Sequence, residues 1–216
     1  MDSQNHARRP LAVRNAKWVK KVAAMLTRSG VTPNAISLMS MLFALIGAVL
    51  LLMSTEMVGI ARSIAYIGTA VMIQMRLLCN LFDGLVAIEG QKFTKSGELF
   101  NEVPDRISDT LLIVALGYAL PSLEWAIELG WFAALLAMMT AYIRLLGAAC
   151  GLKAEFLGPM AKQQRMATMT VGLIISAFWH TGAVWVLGGT LLIIAIGSAW
   201  TVVRRLHKIY VLLERS

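Results

Sequence analysis

Long apolar tracts separated by short polar breaks run along most of the chain. The first covers residues 34–53, and at 1.5 Å per residue it reaches the ~30 Å that a helix needs to cross the hydrocarbon core of a bilayer. Further tracts follow at roughly 60–82, 107–121, 129–150, 166–181 and 183–203. The pattern predicts an all-α membrane protein with six transmembrane helices.

The segment before the first tract has a different pattern. Across residues 10–28, apolar side chains such as Trp18 are mixed with basic ones such as Lys20, which is typical of an amphipathic helix in the membrane interface. An ordinary basic flank of the first span is the alternative interpretation. We therefore expect a basic N-terminal segment with an interfacial helix at residues 1–30, and a six-helix transmembrane domain at residues 31–216.

Composition agrees with this fold class. The chain is 58% hydrophobic and 15% charged, and its mean hydropathy of +0.69 lies outside the range of ordinary soluble domains. Its two cysteines, Cys79 and Cys150, are too few for a disulfide framework, so we expect free thiols. An integral membrane protein is the expected class.

The distribution of basic residues predicts an orientation. With the N-terminus in the cytoplasm and the spans alternating from there, every Lys and Arg of the chain except Arg62 and Arg76 falls on the cytoplasmic side. The net charge of +8 is therefore explained by membrane topology, and no nucleic-acid partner is expected. We expect a protein of the bacterial inner membrane whose cytoplasmic loops carry the chemistry.

Half of the twelve acidic residues of the chain are concentrated between residues 80 and 109. They are Asp83, Glu89, Glu98, Glu102, Asp105 and Asp109. This segment joins the second and third predicted spans, which places it at the cytoplasmic end of the bundle. Acidic residues beside membrane spans are costly unless they are paired, hydrated or bound to a metal, and they mark a functional site by default. Solvated loop carboxylates are the alternative, which suits Glu89 and Glu98 better than Asp83 and Asp105.

Helical spacing places polar and small residues of this segment on two faces. One face carries Asn80, Asp83, Gly84 and Ala87, and the other carries Gly97, Asn101, Asp105 and Asp109. Two such helices packed together would direct carboxylate and amide oxygens into one space, and the small residues would leave room for a ligand. Oxygen donors of this kind hold hard divalent cations such as Mg²⁺.

The segment resembles the signature of the CDP-alcohol phosphotransferase family, Asp-x-x-Asp-Gly-x-x-Ala-Arg, then eight or nine residues, then Gly-x-x-x-Asp-x-x-x-Asp. The positions that agree are Asp83, Gly84, Ala87, Gly97 and Asp105, with eight residues between Ile88 and Gly97. The positions that depart are Asn80, Ile88 and Asn101, where the family has Asp, Arg and Asp.

The resemblance implies an enzyme that transfers a phosphatidyl group from CDP-diacylglycerol to a hydroxyl acceptor with release of CMP, in phospholipid biosynthesis. It also implies dependence on Mg²⁺ or Mn²⁺, contact with membrane lipid and a homodimer. The residues that it assigns to the metal are Asn80, Asp83, Asn101 and Asp105, with Asp105 also the catalytic base. The residues that it assigns to the nucleotide are Gly84, Ala87, Gly97 and Asn34, the last in a Pro-Asn segment that opens the first span in many members.

The departures from the signature predict weaker metal binding or the loss of one metal, because two neutral amides replace two carboxylates. Glu102 and Asp109 could substitute as ligands if the helix is rotated or kinked at Pro104. Lys92 or Lys95 could replace the missing arginine of the signature.

Other basic residues converge on the same end of the bundle. Arg76 lies one turn before Asn80, and we expect it to pair with Asp109 or Asp83, either as a structural ion pair or in a substrate role. Arg144, Lys162 and Arg165 are candidates to bind a phosphate of the acceptor, which would favour a phosphorylated alcohol such as glycerol 3-phosphate. Charge that only determines topology is the alternative for these three.

Two other functions stay open at this point. A degenerate, non-enzymatic relative that binds lipid or nucleotide would account for the lost signature positions. A transporter would use Arg76 and Asp109 as part of an ion pathway, but the first, fifth and sixth spans offer almost no polar residues at mid-depth.

Overall fold

The structure, a computed structural model, describes residues 16–90, 96–152 and 157–215. Within these residues the fold is all-α. The helices are α1 (Lys17–Arg28), α2 (Pro33–Met53), α3 (Gly59–Glu89), α4 (Gly97–Tyr118), α5 (Ala126–Ala149), α6 (Lys162–Phe178) and α7 (Ala183–Leu213). A short 3-10 turn at His180–Gly182 joins α6 to α7. Residues 1–15 of the N-terminal segment, together with Lys92 and Lys95, lie outside the described residues.

Local sequence explains how the first membrane helix begins. Thr32 is extended and its hydroxyl accepts a hydrogen bond from the Ala35 amide at 3.2 Å, while Pro33 occupies the first helical position. Gly30 supplies the left-handed conformation, with φ of 78°, that turns the chain between α1 and α2. The chain therefore turns between α1, which ends at Arg28, and α2, which begins at Pro33.

The helices form one bundle in which α3 and α4 are central to the polar site. Helix α2 packs on both α3 and α4, α4 packs on α5, and α3 packs on α6. Helix α7 closes the bundle against α5 and α6. The core between them is made of alanine, leucine and other apolar side chains such as Ala44, Leu112 and Met169, which are fully buried.

Within residues 16–90, 96–152 and 157–215, four stretches are long and apolar enough to cross a membrane, namely α2, α3, α5 and the stretch from His180 to Leu213. Helix α4 carries Asp and Glu along its first half, and α6 has only 17 residues, so neither meets the same standard. The protein is an integral membrane protein, but the predicted count of six spans is not confirmed. The apolar tract at 107–121 marked only the second half of α4, which begins ten residues earlier at Gly97.

Helix α1 is amphipathic and lies against α3. Its buried face carries Val19 and Ala23, and Trp18 meets Phe82 edge to face with ring centres 6.4 Å apart. Lys17 and Lys20 are exposed. The helix is thus present, while its place in a membrane interface stays a prediction. Both cysteines are free, as expected.

Candidate active site

The two polar faces predicted from the spacing meet between α3 and α4. The side-chain amide of Asn80 on α3 donates to Oδ1 of Asp105 on α4 at 2.8 Å. One turn after Asn80, Asp83 accepts a hydrogen bond from the Ser37 hydroxyl of α2 at 2.7 Å. The aspartates at the two agreeing signature positions are buried, so three helices hold them in a protected space.

Asp105 is surrounded by donors. Besides Asn80, it accepts from the ammonium of Lys162, whose Nζ lies 2.5 Å from Oδ2. The Arg76 guanidinium lies 3.5 Å from Oδ1 and donates to the Asp105 backbone carbonyl at 3.2 Å. Because Lys162 is the first residue of α6, this contact brings a third helix against the pair α3 and α4. The Lys162 side chain keeps 24% of its surface exposed.

Asp109, one turn beyond Asp105, lies between two buried arginines. Arg76 reaches Oδ1 at 2.6 Å and Arg165 reaches Oδ2 at 2.6 Å. All three side chains are at least 95% buried, so water does not solvate their charges. The opposite charges stabilise one another instead. The predicted ion pair of Arg76 with Asp109 is confirmed.

Arg165, for which we predict a role in binding an acceptor phosphate, is held by protein groups. Its guanidinium donates to Thr140 at 3.2 Å and to the Met160 carbonyl at 2.8 Å in addition to Asp109. The side chain is 2% exposed, and its protein partners favour a structural role over contact with a substrate. Its position is buried because α6 packs against α3 and α7 with this residue inward.

Glu102 also forms ion pairs with arginines of the protein. It is paired with Arg106 on its own helix and with Arg144 of α5, whose Nη2 lies 2.7 and 2.8 Å from the two carboxylate oxygens. Arginines hold both Glu102 and Asp109, so the expectation that either replaces a lost ligand gains no support from these contacts and stays a prediction. Pro104 lies inside α4.

The residues assigned to the nucleotide line the same end of the bundle. Ala87 is buried, while Gly84, Gly97 and Asn34 are partly exposed. Asn101, one turn before Asp105, is also partly exposed. Their roles stay predictions.

Sequence reasoning missed two contacts that shape the site. Ser37, one turn into α2 from Pro33, holds Asp83. Its position four residues after the proline that opens the helix is the sequence feature that could have indicated this contact. Arg205 of α7 is 4% exposed and donates to the Leu157 carbonyl at 2.8 Å and to the Thr140 carbonyl. The sequence pattern predicts for Arg205 only a basic residue that helps to set the membrane orientation.

The four residues that the resemblance assigns to a metal include only two carboxylates. Among the described residues, no three side chains of His, Cys, Asp or Glu converge as a metal site. The two carboxylates of Asp83 and Asp105, with amide oxygens from Asn80 and Asn101, are nevertheless the hard oxygen donors that Mg²⁺ and Mn²⁺ prefer. An ammonium at 2.5 Å from Asp105 acts as a stand-in cation and shows that this carboxylate attracts positive charge.

Comparison with known proteins adds independent information. No family model matches the chain. The chain is 24% identical over 204 residues to the phosphatidylinositol phosphate synthase of Mycobacteroides abscessus, covering 90% of this chain and 84% of that protein. It is 25% identical over 203 residues to the phosphatidylinositol phosphate synthase of Mycolicibacterium smegmatis, covering 89% and 84%.

Solved structures agree with these sequence matches. The crystal structure of Mycobacterium tuberculosis phosphatidylinositol phosphate synthase with CDP-DAG bound has a TM-score of 0.75 at 22% identity, over 90% of this chain and 94% of that one. The predicted resemblance to the CDP-alcohol phosphotransferases is confirmed. The same enzyme in complex with manganese and citrate has a TM-score of 0.74, over 89% and 88% of the two chains. At this identity the structural likeness establishes the phosphotransferase fold, within which Asn80, Ile88 and Asn101 depart from the family signature.

Proposed function

We propose that this protein is a CDP-alcohol phosphatidyltransferase that moves a phosphatidyl group from CDP-diacylglycerol to a hydroxyl acceptor and releases CMP. The observation that carries the proposal is the contact of Asn80 on α3 with Asp105 on α4, one turn before Asp83, which Ser37 of α2 holds. Sequence matches to phosphatidylinositol phosphate synthases over nine-tenths of the chain support it.

The reaction needs a base and a way to neutralise a diphosphate. An oxygen of the acceptor forms a new bond to the phosphorus of the phosphatidyl group, the bond from that phosphorus to the CMP oxygen breaks, and the hydroxyl proton passes to a carboxylate. Asp105 is our candidate for that carboxylate, since Asn80 and Lys162 fix its two oxygens in place. Asp83 is held in a single orientation by Ser37.

We assign Asn80, Asp83, Asn101 and Asp105 to the binding of Mg²⁺ or Mn²⁺. When bound, a divalent cation neutralises the diphosphate oxygens and stabilises the departing CMP. A related phosphatidylinositol phosphate synthase has been crystallised with manganese, which supports a divalent cation here. We assign Gly84, Ala87 and Gly97 to the surface on which the nucleotide lies, with Asn34 beside it.

We propose a phosphorylated alcohol as the acceptor. The relatives are named for a product that carries a phosphate in addition to phosphatidylinositol, and this chain retains basic side chains near Asp105. Lys162 and Arg144 are the residues that we assign to this phosphate, because each lies within reach of α4 and keeps part of its surface exposed. Arg165 is omitted because protein groups surround its guanidinium.

We further propose that the protein crosses a bacterial inner membrane with six spans and that α1 lies in the membrane interface. The active site then faces the cytoplasm, and two copies form a homodimer. The basic residues concentrated at one end of the predicted topology support this orientation. Cys150 is exposed at the end of α5 on the same side, so a membrane-impermeant maleimide should label it only when applied from the cytoplasmic face. The mass of the detergent-solubilised protein tests the dimer.

The experiment that tests the function measures CMP release by the purified protein in detergent. CDP-diacylglycerol is supplied with glycerol 3-phosphate, an inositol phosphate, free inositol or serine, each with Mg²⁺ or Mn²⁺. We expect CMP release with a phosphorylated alcohol and its loss on addition of chelator. Absence of CMP with every alcohol and both metals would overturn the enzymatic proposal, and retained CDP-diacylglycerol binding in that case would indicate a degenerate relative.

A further inference from the structure

We propose that Lys162 supplies a fixed positive charge in place of a second divalent cation, so that this chain binds one metal ion where the family signature has carboxylates for two. The inference rests on the proposed function, because it concerns the same site. It explains why two signature aspartates are replaced by asparagine and predicts a metal stoichiometry.

The contact between Lys162 and Asp105 has the geometry of a charge pair inside the site. Nζ lies 2.5 Å from Oδ2, while Oδ1 accepts from Asn80 at 2.8 Å. Both oxygens of the carboxylate at the last signature position therefore already have a donor from the protein. A cation bound to this carboxylate has to share it with the ammonium.

Asn80 and Lys162 have complementary effects on the charge around Asp105. An aspartate at position 80 would place a second carboxylate about where the amide now donates at 2.8 Å to Asp105, and the two would repel unless a cation lay between them. The asparagine removes that negative charge and turns the contact into a hydrogen bond. The lysine adds a positive charge on the other oxygen of the same carboxylate.

Charge balance favours a single metal ion. Among the described residues, the cluster around Asp83, Asp105 and Asp109 has three carboxylates and three basic groups. The basic groups are the buried Arg76 and Arg165 and the partly exposed Lys162. One divalent cation gives this neutral cluster an excess of positive charge that suits an incoming diphosphate. A second cation would double that excess in a poorly solvated place, at a large cost in free energy.

The backbone before Lys162 is held by buried arginines. Arg205 donates to the Leu157 carbonyl at 2.8 Å, and Arg165 donates to the Met160 carbonyl at 2.8 Å. These bonds fix the segment that leads into α6, so the lysine is presented to Asp105 by the scaffold. Holding the ammonium there costs less conformational entropy than it would for a lysine on a free surface.

The test counts bound Mn²⁺ by electron paramagnetic resonance of the free ion, using the full-length protein in detergent without substrate. We expect one Mn²⁺ per chain in the parent and in Lys162→Arg. Lys162→Gln should bind its Mn²⁺ roughly tenfold tighter, because a like charge next to the metal is removed. Lys208→Gln removes a lysine charge from α7 as the matched control and should leave the affinity unchanged.

A triple variant, Lys162→Gln with Asn80→Asp and Asn101→Asp, restores the signature charges and should bind two Mn²⁺. The double variant Asn80→Asp with Asn101→Asp keeps Lys162 and should bind one. If the triple variant does not fold, the number of Mn²⁺ ions bound by the parent and the Mn²⁺ affinity of Lys162→Gln still test the inference.

Two Mn²⁺ per chain in the parent, no bound Mn²⁺, or an unchanged affinity in Lys162→Gln would overturn the inference. CMP release measured on the same parent preparation separates this outcome from failure of the proposed function. A parent that releases CMP and binds two ions is a transferase without a charge-substituting lysine. If the parent binds one ion, Lys162→Gln binds it more tightly and the parent releases no CMP, the inference about charge stands and the proposed function fails.

Discussion

At the scale of single residues, two aspartates one turn apart on α4 have different surroundings. Asp105 meets Asn80 and the partly exposed Lys162, whereas Asp109 is enclosed by Arg76 and Arg165. The first arrangement leaves a route to a ligand, and the second has no open side. This difference is the basis of our proposal that Asp105 takes part in the chemistry and that Asp109 stabilises the bundle.

This difference predicts opposite effects of the same substitution. Asp105→Asn should abolish CMP release while lowering stability little, because its amide can still accept from Asn80. Asp109→Asn should destabilise the protein by about 3–5 kcal/mol, since two buried guanidinium groups lose their counter-charge. CMP assays and thermal unfolding in detergent measure the two effects. Turnover in Asp105→Asn, or parental stability in Asp109→Asn, would contradict the division of roles.

At the scale of elements, the position of α4 depends on a close approach to α5. A methyl group added at Gly117 would lie 2.6 Å from the Ala126 carbonyl oxygen and 3.2 Å from the Cα of Gly130. Two helices that cross this closely need glycine at the contact, as small residues allow in membrane bundles. The crossing anchors the end of α4 opposite to the active site.

Gly117→Ala should therefore destabilise the protein, by roughly 1–3 kcal/mol, because backbone cannot move aside for the methyl group. Gly189→Ala on α7 is the matched control, since no described atom lies within 4 Å of its added methyl, and it should leave the unfolding temperature unchanged or raise it. Thermal unfolding of both variants in one detergent checks this. Equal unfolding temperatures for the two variants would show that the crossing is not tight.

The helices could be predicted where the sequence pattern is compatible with only one type of secondary structure. An apolar tract of span length becomes a helix because unsatisfied backbone groups are too costly in lipid, and signature spacing puts Asn80 and Asp105 on facing sides. The apolar tract marked only the second half of α4, because polar residues continue that helix back to Gly97, where only the helical spacing of Gly97, Asn101 and Asp105 indicates it. The inward direction of Arg165 was missed because local spacing does not set the register between α4 and α6.

At the scale of the whole molecule, the site is an assembly of helices distant in sequence. Ser37 of α2, Asp83 of α3, Asp105 of α4 and Lys162 of α6 are linked by short polar contacts at one end of the bundle. Most of the remaining buried side chains are apolar, whereas the buried carboxylates Asp83, Asp105 and Asp109 are grouped near this end. That arrangement suits transfer between a membrane substrate and a soluble one.

The most direct test of this account measures CMP and the new phospholipid together, from CDP-diacylglycerol and a phosphorylated alcohol in the presence of Mn²⁺. The parent protein should form both in equal amounts, chelator should stop both, and Asp83→Asn should form neither while remaining folded. CMP without phospholipid would identify a hydrolase. No CMP from the parent, or full turnover in Asp83→Asn, would contradict the assignment of phosphatidyl transfer to this site.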